Sequence, residues 1–118
     1  MSTRQTIEGY FDALRKEAGW QDALATDMTF TSYTSPVKQL AGRDAYLQAT
    51  KRFYSTIANF EVRRLLVDGE HAIALTRYTI QPSNGAPSFE SDVAESFTVR
   101  NGKITSFDIY FDSAPFPK

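Results

Sequence analysis

Polar and apolar positions alternate along the chain with two different periods, helical first and strand-like later. In Thr6–Lys16, Ile7, Tyr10, Phe11 and Leu14 fall at i, i+3, i+4 and i+7 with charges on the other face, which predicts an amphipathic helix ended by Gly19. Trp20–Ala25 reads as a helical turn or short second helix. Met28–Tyr33 alternates and is rich in β-branched and aromatic residues, so it predicts a strand closed by Ser35-Pro36. A second long helix is expected over Arg43–Ile57, with Tyr46, Ala49, Thr50, Phe53 and Ile57 on one face and Leu47 and Tyr54 widening it. From Asn59 the period becomes two. Phe60–Val67, His71–Ile80, Ser88–Val99 and Lys103–Phe111 predict four strands in a meander, separated by Asp68-Gly69, Pro82–Pro87 and Asn101-Gly102 turns. Helices followed by an antiparallel sheet make an α+β layout in which one sheet face is buried under the helices.

Alternation also sorts each late strand into two faces. Phe89, Ser91, Val93, Glu95, Phe97 and Val99 form an apolar face with a carboxylate in its middle. Thr105, Phe107, Ile109 and Phe111 form the matching face of the last strand, and Ile73, Leu75, Arg77 and Thr79 are read as that of the strand after Asp68-Gly69. Glu95 and Arg77 are thereby expected on the helix-facing side. A charge there is costly unless paired or held in a cavity. Two explanations remain open: a register slip, edge position or structural ion pair, and an aromatic-lined pocket in which Glu95 has a raised pKa. The other face is expected to carry Ala72, Ala74, Tyr78, Ile80, Ala94, Ser96, Thr98 and Tyr110. So little charge suggests either packing against a second copy of the chain or an ordinary solvent-facing surface.

Composition narrows the chemistry. The 118 residues suit one domain over 1–118, and the 42% hydrophobic content can build a core. Without Cys and with one His, disulfides, a Cys-based zinc site, a Cys nucleophile and a His-rich metal cluster are excluded. Thirteen basic against fourteen acidic residues leave no electrostatic footprint for nucleic acid or an acidic membrane. No apolar run is long enough for a transmembrane helix, and the polar start, Met1–Thr6, lacks the apolar stretch of a signal peptide, so a cytoplasmic location is expected. There is no glycine-rich phosphate loop and no metal-ligand spacing. His71 reads as an exposed strand start and Asp112 as an edge carboxylate. Nine Phe, six Tyr and one Trp exceed what a small core needs and point to a pocket wall as well.

The element order and several local motifs resemble the nuclear transport factor 2-like superfamily, in particular its SnoaL-like and ketosteroid-isomerase-like branch. The residues that carry the resemblance are Tyr10-Phe11-Asp12-Ala13-Leu14, Thr26-Asp27-Met28-Thr29-Phe30, Leu40-Ala41-Gly42-Arg43-Asp44, Val67–Ala72, and Asn101-Gly102-Lys103-Ile104 running to Tyr110-Phe111-Asp112. The resemblance implies a cone-shaped curved sheet with two to three N-terminal helices over its concave side, a pocket between them, and a homodimer through the outer sheet face. In ketosteroid-isomerase-like enzymes a first-strand carboxylate is the base, and a helix-one Tyr with a protonated acid forms the oxyanion hole. Tyr10 resembles that tyrosine, Glu95 falls at the acid, and Ser32 stands at the base. In limonene-epoxide-hydrolase-like members an Arg-x-Asp pair works with a last-strand Asp. Arg77-Tyr78-Thr79 keeps only the Arg, and Ile109 stands at the last position.

The expected site therefore has Tyr10 and Glu95 as catalytic groups. Leu14, Trp20, Phe30, Ser32, Phe53, Ile73, Leu75, Arg77, Val93, Phe97, Phe107, Ile109 and Phe111 are expected to bind the ligand. The expected ligand is a small hydrophobic carbonyl compound, with no cofactor and no metal. The expected activity is that of an isomerase, cyclase or hydratase; the other expectation is a non-catalytic apolar-ligand-binding or dimerisation module.

Overall fold

The computed structural model describes residues 2–34 and 36–116. Helix α1 spans Thr3–Arg15 and a 3₁₀ turn Trp20–Ala23. These are followed by β1 (Leu24–Ser32), β2 (Lys38–Ala41), α2 (Arg43–Ser55), β3 (Ile57–Asp68), β4 (His71–Ile80), β5 (Phe89–Arg100) and β6 (Lys103–Phe111). Ser35, half of the expected Ser35-Pro36 strand end, lies outside the described residues.

Local chemistry sets the helix ends. Ser2 caps α1 by accepting from the Gln5 backbone N–H while the Gln5 side chain accepts from the Ser2 backbone, a capping box. Thr6, Ile7, Tyr10, Phe11 and Leu14 are then its buried stripe. At the start of α2, Gly42 adopts φ 95°, a left-handed backbone that a side chain would strain, and this turns the chain from β2 into the helix.

The six strands form one sheet in the order β2-β1-β6-β5-β4-β3. The expected antiparallel meander is β3 to β6, but the whole sheet is mixed, because β6 lies parallel to β1. The β1–β2 hairpin sends the chain back through α2, and the meander then returns β6 beside β1 in the same direction. β2 has no counterpart in the sequence reading: Lys38-Gln39-Leu40-Ala41 is a four-residue edge strand with no β-branched residue. The register shifts in β1/β6, β3/β4 and β5/β6, where the ladder is interrupted. Helix α1 packs on β3, β4 and β5, and α2 on β1 and β2. The short turns behave as their residues require: Asn101 and Gly102 both have positive φ, 53° and 73°, in the β5–β6 hairpin.

Register corrects the expected face of β4. Ala74 sits opposite Glu95, Ala72 opposite Phe97 and Tyr78 opposite Ser91. Directly opposed residues share a face, so the residues that meet the helices are Ala72, Ala74, Thr76, Tyr78 and Ile80, all buried. Ile73, Leu75 and Arg77 lie on the outer face, the first two 44% and 40% exposed. The reason is volume. The space over β4 is filled by rings from other elements: Tyr10 and Phe11 of α1 pack edge-on against Phe97 at 5.9 and 6.2 Å. Small Ala72 and Ala74 leave room for these rings, where Ile and Leu would overpack the same layer.

Candidate functional site

A cavity of about 330 Å³ opens between α2 and the inner face of β1, β2, β5 and β6. Its floor follows from the register. One cross-strand row runs Leu40–Phe30–Phe107–Phe97; the next runs Lys38–Ser32–Ile109–Glu95; a third carries Phe111 and Val93. All but Phe97 line the cavity, with Phe53 and Tyr54 of α2 and Phe116 of the C-terminal segment completing its walls. The apolar character is therefore built into alternate strand positions, with a polar row between two aromatic ones.

Glu95 is the chemical centre of this row. It is 2% exposed, and its Oε2 accepts a hydrogen bond from the Tyr78 hydroxyl at 2.9 Å. Its Oε1 has no partner among the described residues, nor do the buried hydroxyls of Thr76 and Ser91. Burial pushes the Glu95 pKa up to about 7, and the Thr76 and Tyr78 hydroxyls facing the carboxyl hold it below what burial alone would produce. Thr76 contributes through proximity only, since its geometry falls short of a hydrogen bond. Near pH 7 the carboxyl is thus present in both forms, as a general acid or base requires.

Three tyrosines form the second polar feature. The Tyr54 hydroxyl bonds to those of Tyr10, at 3.2 Å, and Tyr46. Burial raises the pKa of all three well above the usual tyrosine value, as it does for Tyr78, so they stay protonated donors. Tyr54 is half-buried. Its ring stacks on Trp20 at 4.3 Å.

The structure distributes the expected site residues unevenly. Phe30, Ser32, Phe53, Val93, Glu95, Phe107, Ile109 and Phe111 surround the cavity. Tyr10 does not reach it; its hydroxyl ends on Tyr54, and Tyr54 and Tyr46 present theirs instead. Phe97 continues the Phe107 row into the core under α1, packed on Phe107 at 4.6 Å and on Tyr10 and Phe11, and does not line the cavity. Leu14 and Trp20 line a separate, smaller cavity of about 220 Å³ that shares Tyr54 as a wall. Ile73, Leu75 and Arg77 are excluded by the β4 register. Arg77 instead grips Asp92 on the outer face through Nε and NH2 at 2.8 and 3.1 Å, with Glu90 at 3.2 Å, and this pairing lowers the Asp92 pKa. The cavity residues outside the expected set are Lys38, Leu40, Tyr46, Ala49, Thr50, Tyr54, Tyr78, Ser91 and Phe116. The helical face containing Tyr46 and Phe53 was available as a signal, whereas Tyr78 depended on the β4 register.

A wider, open groove over Asp27, Arg100, Lys103 and Ser106 has little shape to enclose a ligand. Its two cations are engaged, Arg100 with Glu70 at 3.5 Å and Lys103 with the Asp22 carbonyl. Among the described residues no group of three His, Cys, Asp or Glu could hold a metal ion, and no helix is long and apolar enough to cross a membrane.

Comparison with known proteins agrees with this architecture. Residues 7–107 match the model of the SnoaL-like domain. No curated protein matches the sequence. An NTF2-like protein of unknown function from Burkholderia pseudomallei K96243 superposes with a TM-score of 0.82 at 23% identity, over 98% of this chain and 95% of that one. A protein provisionally named a SnoaL-like polyketide cyclase, from Jannaschia sp. CCS1, has a TM-score of 0.76 at 15% identity, over 93% and 85% of the two chains. TerC, co-crystallised with polyporic acid, has a TM-score of 0.78 at 15% identity, over 97% and 94%. At these identities the structures speak for the fold alone. With the family model spanning α1 to β6, the chain belongs to the SnoaL-like domain family, and its fold is that of the NTF2-like structures.

Proposed function

We propose that this chain binds a small, mostly apolar carbonyl compound in the cavity beneath α2, with protonated Glu95 donating a hydrogen bond to the carbonyl oxygen. One observation carries the reading: a carboxyl with one oxygen held by Tyr78 and the other unpartnered, in the wall of an otherwise aromatic cavity. In low dielectric such a donor gains strength as negative charge develops on the oxygen, and the linked Tyr10, Tyr54 and Tyr46 hydroxyls, with two of their three protons spent on each other, leave one further donor. The reaction types that suit this set are cofactor-independent isomerisation, cyclisation or hydration through an enol-type intermediate. TerC, of the same fold, is seen with polyporic acid, which is in keeping with a small-molecule cavity.

A second reading, binding without chemistry, is favoured by Ser32. It stands 9% exposed in the cavity wall, the resemblance to ketosteroid-isomerase-like enzymes assigns it the base position, and a hydroxyl cannot remove a proton from carbon unaided. The partner in either reading is a second copy of the chain. Leu66, Ile73, Leu75 and Tyr110 expose 40–54% of their surface on the outer sheet face, and Tyr33 stacks on Tyr110 at 4.8 Å, a patch suited to self-association.

Titration of Trp20 fluorescence with 2-acetylnaphthalene and its oxygen-free analogue 2-ethylnaphthalene tests the proposal. Wild type is expected to prefer the ketone about fivefold at pH 6, the scale of one buried hydrogen bond, and to lose that preference by pH 8. Glu95→Gln, which always carries an N–H donor, is expected to show the same preference at both pH values. No binding, or a wild-type preference that ignores pH, would refute it. Deuterium exchange into the acetyl methyl group, read by NMR, separates the readings: exchange faster with wild type than with Glu95→Gln marks catalysis, and equal exchange marks binding alone.

A further inference from the structure

The polar row across the cavity floor is asymmetric. Lys38, Ser32, Ile109 and Glu95 are successive cross-strand neighbours on β2, β1, β6 and β5, and all four line the cavity. The row begins with a cation at the open sheet edge and ends with the buried carboxyl. Lys38 is exposed, and among the described residues it is the only cation in the cavity lining and has no carboxylate within 4.0 Å. Leu40, Phe30 and Phe107 flank the row on one side and Phe111 and Val93 on the other. Two apolar rails with a polar line between them suit a flat ring system lying across the strands.

Strand spacing sets the length of such a ligand. Neighbouring strands are about 4.8 Å apart, so the three steps from Lys38 to Glu95 span about 14 Å of backbone, less once the inward side chains take their share. A bicyclic aromatic with oxygens at its two ends fits that interval, and a single ring with one oxygen does not reach both groups.

We infer that the ligand is an aromatic acid: an anionic oxygen group at the mouth pairs with Lys38, and a keto or hydroxyl oxygen at the far end meets Glu95. The inference rests on the cavity being a ligand site, and adds the charge and orientation of its occupant. Transfer of a carboxylate from water to an apolar cavity is unfavourable, so without a paired cation this cavity would prefer the neutral analogue. An edge-strand lysine can also serve only to guard the sheet edge against pairing with another chain, and then it would leave affinity untouched.

The probes are 6-hydroxy-2-naphthoate and 2-naphthol, which share the ring system and the hydroxyl and differ in the carboxylate, titrated against the full chain at pH 6 and low salt. The acid is expected to bind about fivefold more tightly, the scale of one partly exposed charge pair, with the advantage lost in 0.5 M salt. Lys38→Gln is expected to abolish the advantage of the acid over 2-naphthol, and Lys38→Glu is expected to invert it. The exposed position of Lys38 keeps both variants folded. Equal binding of the two probes by wild type, or an advantage that survives Lys38→Gln, overturns the inference while 2-naphthol binding still stands for the cavity. Failure of both probes to bind overturns both readings together.

Discussion

Replacing Glu95 by Gln should change how stability depends on pH more than it changes stability itself. In the unfolded chain this carboxyl titrates near 4.5, and burial raises it to about 7 in the folded protein. Between those values the folded state binds the proton more tightly, so stability falls as pH rises and levels off above about pH 7. The factor of ten per pH unit, about 1.4 kcal/mol, acts across the interval from 4.5 to about 7 and amounts to a loss of about 3 kcal/mol between pH 4 and pH 8. The amide of the Glu95→Gln variant cannot ionise and still accepts from Tyr78. Urea unfolding of wild type and Glu95→Gln at matched pH cancels the titration of every other group. The stability of the variant relative to wild type should therefore rise by about 3 kcal/mol from pH 4 to pH 8. Parallel stability curves would mean that the carboxyl is solvated, and the low-dielectric account of the cavity would fall with it. A carboxyl ¹³C shift for Glu95 titrating near 4.5 would refute it directly.

Tyr54→Phe should destabilise the protein by about 2 kcal/mol in urea unfolding, because it leaves the Tyr10 and Tyr46 hydroxyls without their shared partner. Tyr10→Phe should cost less, since the Tyr46–Tyr54 bond survives, and the double variant should be less than additive. On the outer face, Arg77→Ala should leave naphthyl-ketone binding unchanged, whereas Leu75→Glu should convert a light-scattering dimer mass to a monomer mass. Loss of ketone binding in Arg77→Ala would return Arg77 to the site and contradict the β4 register.

Much of the site was legible because alternation within a strand is a local property. Val93, Glu95 and Phe97 must share a face whatever the rest of the chain does, and so must Phe107, Ile109 and Phe111. The carboxyl among aromatic residues is visible from spacing alone. The excess of rings likewise announced more than a core, and eight of the expected site residues do surround the cavity. What alternation cannot supply is an absolute direction. It divides β4 into two sets, and apolar Ile73 and Leu75 made the wrong set look inward, carrying Arg77 with them.

The amino-acid sequence by itself determined the α1 stripe, the turn positions, the late strands and the position of Glu95 on an apolar strand face, because each depends on residues a few positions apart; the α2 stripe was overextended, since Ile57 begins β3. Tertiary structure alone decided the parallel β1–β6 pairing, the edge strand β2, the inward face of β4 and the tyrosines that share the cavity with Glu95. Those depend on register between strands and on the volume left by rings from distant elements. Lys38 and Glu95 are 57 positions apart in the chain (95 − 38), yet three strand steps apart in the sheet. No local pattern encodes that distance, because it arises only when β1 and β6 pair.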